Sequence, residues 1–400
     1  MVCFLDHESK TESVSVLLSV GGSAFPPSSG GAATILYHLL HGIDRASLDV
    51  LTAEPFKPNS NTLRFPVTKI PKVRIEQIPG LWRIQTLERT LRYVQQGLKA
   101  TASKTYDSML LVFPDTAALI GGFLVARLRK IPFHVYLIDL LSDSRLNKTE
   151  WLLLRLFEKR ILKQAQVVYS LSDGITAFYR QRVDREYVLL PHCIPALNGS
   201  VPALSERDRD RKVIVFAGQI HEISRDALQN LIRAVRLIDA FEVGVQIFTN
   251  RSERFLQDNQ LTDHFVETEF ITDQDALAER LRQADILFSP VAFHTRYPHQ
   301  AATCFPTKTF DYARARRPIL VHAPADTFYV RYMEAYQSAL CVTRFEPAAL
   351  KEAIVRLLTE EPLQQHLVEN AVAMIRRHHA QPVIQRRLVE HLFGVEQSGV

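Results

Sequence analysis

The stretch of this 400-residue sequence that is richest in residues able to do chemistry runs from Phe305 to Val321. It reads Phe-Pro-Thr-Lys-Thr-Phe-Asp-Tyr-Ala-Arg-Ala-Arg-Arg-Pro-Ile-Leu-Val, and Pro306 followed by Thr307 is typical of a helix start. Lys308 and Asp311 are three residues apart and therefore lie on one face of that helix. An ammonium group suits a phosphate and a carboxylate suits ribose hydroxyls, so the pair predicts a nucleotide site.

Two glycine-containing loops each join a predicted strand to a predicted helix. The first runs from Gly21 to Gly31, and its spacing matches neither the dinucleotide-binding fingerprint nor the P-loop. The second runs from Phe216 to Arg225 and places an arginine at a helix start, where free backbone N–H groups favour a diphosphate. From the residues alone, a flexible surface loop and a solvated Arg225 remain the alternatives for these two segments.

The elements that must position these residues alternate between short apolar strands and helices. Strands are predicted at 14–20, 48–53, 109–113, 133–138, 167–170 and 187–190, and again at 213–217, 243–248, 265–270, 286–289, 319–321 and 339–342. Continuous apolar strands interleaved with helices indicate parallel sheets covered on both faces. Such sheets bind ligands at the carboxyl ends of their strands.

A change of composition near residue 200 predicts a domain boundary. The segment 194–211 holds two prolines, an Asn-Gly pair and a run of alternating acidic and basic residues, without a strand pattern. We therefore expect an α/β chain with two doubly wound, Rossmann-like domains facing a cleft. The first spans 1–195 and the second 212–380, with a linker at 196–211. No repeat of solenoid or propeller length is visible.

Composition excludes several classes of protein. The hydrophobic content of 46% and charged content of 23% are typical of a folded globular chain. The four cysteines contain no CxxC pair, and the set His294, His299 and Cys304 matches no known ligand spacing, so no metal site is expected. The polar opening at 6–13 predicts no secretory leader, and Pro114 with Asp115 breaks the apolar run 109–126. We expect a reduced, cytoplasmic protein.

The formal net charge of +5 is concentrated between Lys69 and Lys104. An apolar stripe at helical spacing runs through this stretch, formed by Ile84, Leu87, Leu91, Val94 and Leu98. Arg89, Arg92 and Lys99 fall away from that stripe. Two interpretations stay open. The stretch is either a core-packed helix with a solvated basic face, or a surface that contacts anionic lipid headgroups at the inner face of a membrane. Nucleic-acid binding is not expected, because no known nucleic-acid-binding signature is present.

The stretch that begins at Phe305 resembles the P-S-K-x-x-E-Y-x-x-x-G-x-P-[IV] segment of GT-B retaining glycosyltransferases of family four, the glycosyl transferases group 1. Four other segments are similar to motifs of that family and occur in the same order along the chain as in the family. They are the Gly30-Gly31 loop, 165–175, 216–220 and 284–290. The likeness spans most of the chain. It implies the GT-B fold and an enzyme that moves a hexosyl or related group, with retention, from a UDP or GDP sugar to an acceptor hydroxyl.

The resemblance also implies which residues bind the donor. They are Gly218, Gln219, Arg225, Thr272, Thr303, Cys304, Phe305, Pro306, Thr307, Lys308 and Asp311. Asp311 stands where the family places a carboxylate that grips the ribose. Thr303 occupies the position of an acidic residue that recognises the donor sugar in the family. Gln219 occupies the position of a phosphate-binding arginine. Lys308 would then supply the missing cation.

In the first domain, the resemblance implies that an aspartate or histidine follows the strand at 133–138. This residue would face the reacting carbon of the donor sugar. Asp139 is the first candidate, and together with Arg225 and Lys308 it forms the predicted catalytic set. Gly30, Gly31, His134 and Asp143 are the acceptor-side candidates, with a buried core histidine as the alternative for His134. The resemblance implies that no cofactor is needed beyond the nucleotide sugar. It also implies that a helix in 381–400 crosses back to the first domain.

Two other functions remain open. The substitutions at Thr303 and Gln219 are also compatible with a non-catalytic GT-B-like partner of a true glycosyltransferase. A GT-B sugar-nucleotide epimerase would turn over the donor with no acceptor present. A glycan, a lipid-linked glycan and a small metabolite all remain candidate acceptors, the first two in polysaccharide biosynthesis.

Overall fold

The computed structural model describes residues 14–26, 30–44, 47–53, 63, 65–71, 85–143, 146–199, 211–240 and 242–393. The first domain is built on a parallel sheet with the order β3-β2-β1-β4-β5-β6-β7. Its strands are β1 (Val16–Val20), β2 (Leu48–Thr52), β3 (Val67–Lys69), β4 (Ser108–Phe113), β5 (Phe133–Leu137), β6 (Val168–Ser170) and β7 (Val188–Leu189). Its helices are α1 (Gly31–Leu40), α2 (Gln85–Ser103), α3 (Thr116–Arg129), α4 (Lys148–Gln164) and α5 (Asp173–Arg180).

The second domain is built on a parallel sheet with the order β10-β9-β8-β11-β12-β13. Its strands are β8 (Arg211–Ala217), β9 (Glu242–Phe248), β10 (Val266–Glu269), β11 (Ile286–Pro290), β12 (Ile319–His322) and β13 (Leu340–Val342). Its helices are α6 (Arg225–Val235), α7 (Glu253–Asp258), α8 (Gln274–Arg282), α9 (Pro298–Thr303), α10 (Lys308–Ala315), α11 (Phe328–Ala335), α12 (Pro347–Thr359) and α13 (Glu361–His378). The predicted pair of doubly wound α/β domains is confirmed.

The sequence pattern found these strands because the central ones are buried on both faces. Every residue of β1, β4 and β5 is buried, which explains their unbroken apolar runs. Strand β3 was not predicted, because none of its three residues at the edge of the sheet is fully buried and they form no such run. In the described part of the chain, no helix has the length and apolarity needed to span a bilayer.

Helix α14 (Gln381–Phe393) leaves the second domain and packs on the first. Ile384, Leu388 and Leu392 belong to the apolar core of the first domain. The Gln385 side-chain amide donates to the carbonyl of Leu39, in α1, at 3.1 Å. Most of the predicted linker, from 200 to 210, lies outside the described residues, and the chain passes between the domains a second time where α13 meets α14.

Helix α2 packs differently from the sequence prediction. Its buried residues are Thr86, Thr90, Tyr93 and Gly97, whereas Leu87 and Leu91 are 42% and 68% exposed. In the second half of the predicted stripe, Val94 and Leu98 are partly buried and pack against the core, whereas Ile84 lies outside the described residues. A helix can approach its neighbour closely along small side chains, and this is how α2 meets α3.

The contact between α2 and α3 depends on Gly121. A Cβ atom added there would lie 2.4 Å from the Tyr93 Cβ and 3.2 Å from the Thr90 carbonyl oxygen. We expect Gly121→Ala to lower the free energy of unfolding by about 1–3 kcal/mol, because the clash outweighs the better helix propensity of alanine. Urea unfolding followed by circular dichroism would measure this. An unchanged or raised midpoint would contradict the close packing.

Candidate active site

Residues that follow the carboxyl ends of strands in one domain contact those that follow strand β11 in the other. Asp139, after β5, accepts a hydrogen bond from the Gln300 side-chain amide of α9 at 2.5 Å. The Ser172 hydroxyl, after β6, donates to the Thr303 carbonyl at 3.2 Å. A Cβ atom on Gly31 would lie 3.2 Å from the Thr307 hydroxyl oxygen. The loops predicted to bind ligands therefore meet across one interdomain cleft.

The start of α10 gathers the strongest donor-binding candidates. The Lys308 ammonium lies 3.0 Å from the Asp311 carboxylate, and both side chains are partly exposed. Gly218 follows β8 with a φ of 152°, a value that favours glycine. A Cβ atom on Gly218 would lie 4.0 Å from the Lys308 Cγ, so the glycine turn and the lysine are neighbours. The prediction that Lys308 and Asp311 share one helix face is confirmed.

Arg225 points elsewhere. It is the first residue of α6, and its guanidinium donates to the side-chain oxygen of Asn259, after α7, at 3.1 Å. It is still close enough to Glu222 to affect that carboxyl group. The Arg296 side chain, by hydrogen bonding, is the main cause that lowers the pKa of Glu222 to about 2, and Arg225 adds a smaller effect. To contact a phosphate beside Lys308, Arg225 would have to leave Asn259.

The loop that follows β11 is fastened to the start of α6. The Arg296 guanidinium donates to Glu222 at 2.7 and 2.9 Å. One carboxylate oxygen of Asp226 accepts from the backbone N–H of Phe293 at 3.0 Å and of His294 at 2.7 Å. Among the described residues no three His, Cys, Asp or Glu side chains are grouped to hold a metal ion. The hydrogen bonds to Glu222 and Asp226 hold this loop of the second domain in place near the turn at Gly218.

The remaining predicted donor residues differ in what they can offer. The Thr303 hydroxyl is committed to the His299 carbonyl of its own helix at 2.9 Å. Phe305 packs its ring against Phe310 and Tyr329. Cys304, Pro306 and Thr307 are partly buried, while Gln219 and Thr272 are exposed.

One acceptor-side prediction is changed by the structure. His134 is the second residue of β5, at the end of the strand away from Asp139, and is buried with its ring stacked on Tyr169. We therefore correct its acceptor-side assignment to that of a core residue. Asp143 pairs with Arg182, just after α5, at 2.5 Å, and its acceptor-side role stays a prediction. Gly30, the N-cap of α1, stays beside the cleft with Gly31.

An ion pair that sequence reasoning missed lies beside the first glycine loop. Asp115 follows β4, caps α3 by accepting from the Ala118 N–H at 2.9 Å, and pairs with Arg89 of α2. Burial alone would lower the pKa of Arg89, but the Asp115 carboxylate raises it above its ordinary value. A Cβ atom on Gly21 would lie 2.3 Å from the Asp115 Cβ, so glycine permits the approach. The Pro-Asp pair directly after an apolar strand was the available signal.

Comparison with known proteins decides the family of the second domain. Residues 211–360 match the family model described as glycosyl transferases group 1. The second domain is a group 1 glycosyl transferase domain. A search of curated proteins finds no match.

Solved structures extend the likeness to almost the whole chain. Sucrose-phosphate synthase from Thermosynechococcus elongatus is 16% identical with a TM-score of 0.69, covering 95% of this chain and 98% of its own. HepE from Anabaena, in complex with UDP and glucose, is 14% identical with a TM-score of 0.69, covering 96% of this chain and 100% of its own. A putative UDP-N-acetylglucosamine 2-epimerase from Listeria monocytogenes is 10% identical with a TM-score of 0.57, covering 96% and 98%. The predicted group 1 resemblance and GT-B fold are confirmed, and with them the assignment as a glycosyltransferase.

This glycosyltransferase also has a histidine cluster where the chain passes between its domains, which the sequence did not reveal. The His38 Nδ1 of α1 lies 3.2 Å from the His192 Nε2, on the segment that joins the domains. The His192 carbonyl is 2.8 Å from the His379 Nδ1, and the His379 Nε2 is 2.8 Å from the Tyr332 hydroxyl. Burial lowers the pKa of both His38 and His379 to about 4. These neutral rings therefore link both domains and both crossings of the chain.

Proposed function

We propose that this glycosyltransferase moves a glycosyl group from a nucleotide-diphosphate sugar, held by the second domain, to an acceptor hydroxyl held by the first. The observation that carries this proposal is the position of Gly218, Lys308 and Asp311 beside Thr307, directly against Gly31 of the other domain. The ammonium and the backbone N–H groups at the start of α10 suit a diphosphate. Asp311 suits the ribose hydroxyls.

Breaking the bond between the sugar and the phosphate leaves negative charge on the departing diphosphate. Lys308 and the positive end of α10 lie where they stabilise that charge, and such stabilisation is often the largest single contribution to catalysis. Arg225 would add a second cation after releasing Asn259. Asp139 sits between the domains, and in our proposal it faces the acceptor hydroxyl and the reacting carbon once substrate displaces Gln300. We further propose retention, which the anomeric configuration of the product would test.

We propose a UDP or GDP sugar as the donor. A UDP complex of HepE, a protein of the same fold, supports the first of these. The proposed acceptor is a glycan, a lipid-linked glycan or a small metabolite, with polysaccharide biosynthesis in the cytoplasm as the setting. Measuring donor turnover with and without added acceptor separates transfer from epimerisation, because an epimerase converts the donor alone.

Nucleotide binding is the first test of this proposal. We expect Asp311→Ala to weaken nucleoside diphosphate affinity by about 10- to 100-fold, because hydrogen bonds to a charged group contribute about 1.5–3 kcal/mol. Isothermal titration calorimetry with UDP, GDP, TDP and CMP compounds would measure it. Asp326→Ala, at an exposed turn before α11, is the matched control. Absence of binding by the unmodified protein to every compound would contradict the enzyme assignment and favour a non-catalytic partner. Unchanged affinity in Asp311→Ala would contradict only the role of that residue.

A further inference from the structure

Helix α4 has an outward apolar surface in its first half. Trp151, Leu152 and Leu156 are 47%, 53% and 66% exposed. Large apolar side chains grouped on one exposed helix face are unusual on a monomer and commonly mark a surface that binds something. The opposite face of α4 is used for folding, since Leu154, Ile161 and Leu162 are buried. The exposed group is therefore not part of the core.

The second half of the same outward surface is basic. Arg155, Lys159, Arg160 and Lys163 are exposed, and in the described part of the chain none of them pairs with a carboxylate. The Arg155 guanidinium lies 5.5 Å from the centre of the Trp151 ring. Trp151 and the cations thus form one continuous surface.

The two acidic residues of α4 are withdrawn from that surface. Glu158 accepts a hydrogen bond from the Ser142 hydroxyl at 2.7 Å. Glu150 closes the helix start by accepting from the Asn147 N–H at 3.2 Å, and burial raises its pKa. The charge presented outward by α4 is therefore almost entirely positive, which complements an anionic partner.

The apolar end of α4 lies at the cleft edge of the first domain. Helix α4 is the next element after β5, so its first turn follows the loop that leaves the carboxyl end of β5 at Asp139. Helix α3 lies between the two flanking helices, in contact with both α2 and α4. The exposed Leu87 and Leu91 are also in the first half of α2, near Arg89. Both exposed apolar groups therefore lie towards the end of the domain that carries Asp139.

We propose that this α4 surface, with Leu87 and Leu91 beside it, binds an anionic lipid bilayer. Trp151, Leu152 and Leu156 enter the boundary between headgroups and acyl chains, and the basic half of α4 contacts the phosphates. A second copy of the chain is a poorer occupant, because two faces of the same positive charge repel each other. If the proposed function holds, this orientation brings the cleft to an acceptor at the membrane.

Helix α2 offers little free charge to the basic surface expected between Lys69 and Lys104, of which Lys72, Arg74 and Arg83 lie outside the described residues. Arg89 is paired with Asp115, and Arg92 with Glu88 at 2.5 Å. Of the three cations predicted to face lipid, only Lys99 is exposed without an ion pair among the described residues. Helix α4 supplies the free cations instead.

Co-sedimentation of the full chain with vesicles tests the proposal without any substrate. We expect binding to equimolar phosphatidylglycerol and phosphatidylcholine, and little to phosphatidylcholine alone. The apolar triple variant Trp151→Ser, Leu152→Ser, Leu156→Ser and the charge variant Lys159→Glu, Lys163→Glu should each lower the partition coefficient at least about tenfold. Matched controls are Leu237→Ser, an exposed leucine after α6, and Arg233→Glu, an exposed arginine of α6. Neither control should change binding.

A spectroscopic arm reports insertion directly. The chain has two tryptophans, so Trp82→Phe leaves Trp151 as the single emitter. Its emission should shift to the blue with anionic vesicles and stay unchanged with neutral ones. No vesicle binding, equal binding to both lipid mixtures, or wild-type binding by both surface variants would overturn the proposal. A concentration-dependent dimer abolished by the apolar triple variant would assign the surface to a second copy instead. Because no donor is used, loss of the proposed transfer activity would leave these results unaffected.

Discussion

Lys308→Met is expected to lower kcat for glycosyl transfer by about 100- to 1000-fold, the usual effect of removing one group that stabilises a developing anion. Methionine keeps most of the length and apolar stem of lysine, so the packing beside Gly218 is retained while the charge is removed. The Lys308 ammonium already lies 3.0 Å from Asp311, so the cation is positioned before any substrate binds. A preformed charge of this kind needs no reorganisation as the diphosphate departs.

The control for this variant is Lys351→Met. Lys351 also lies on a helix and near a carboxylate, Asp239, at 3.6 Å, but it belongs to α12. It undergoes the same change of charge and should keep wild-type kinetics. Steady-state rates of product formation would measure both variants. Wild-type kcat in Lys308→Met would show that the departing diphosphate is not stabilised at the start of α10.

Arg225→Ala separates the contributions of the two predicted cations. If Arg225 leaves Asn259 and reaches the diphosphate, this variant loses kcat as Lys308→Met does, while Asn259→Ala does not. If Arg225 remains on Asn259 throughout, only Lys308→Met is impaired. Full activity in both cation variants would contradict the predicted catalytic set.

Much of this architecture was readable from the sequence because it depends on local pattern. A strand such as β4, buried along its whole length, reads as an unbroken apolar run. The spacing of Lys308 and Asp311 on one helix face is likewise fixed by helical geometry, and the structure shows their ion pair. Periodicity and spacing act within one element, so they predict such features well.

Contacts between two elements that are distant in the sequence could not be predicted from the pattern within either one. Leu87 and Leu91 of α2 follow the helical spacing, yet Thr90 is buried instead of them, because Gly121 lets the neighbouring helix come close. Nothing in the sequence near α2 reports that second glycine. The contact between His192 and His379 joins residues separated by nearly half the chain, and only the return of the chain through α14 brings them together.

Acidification is expected to destabilise the protein steeply between pH 6.5 and pH 4. Burial lowers the pKa of His38, His134, His322 and His379 from 6.5 to about 4. Above pH 6.5 these side chains are neutral in the folded and unfolded states, so they do not change stability. Below it the unfolded chain binds protons that the folded chain does not, and the free energy of unfolding falls until about pH 4. Each independent histidine contributes a loss of about 3 kcal/mol over this window.

His134→Phe isolates one of these contributions. His134 is the best choice because its Nδ1 has no hydrogen-bond partner within the described residues, and its ring already packs flat on Tyr169. By contrast, His322 hydrogen-bonds through both ring nitrogens. We expect His134→Phe to make the pH dependence shallower by one proton, measured by urea unfolding at a series of pH values. An equal slope in His134→Phe and the unmodified protein would show that folding does not lower the pKa of His134.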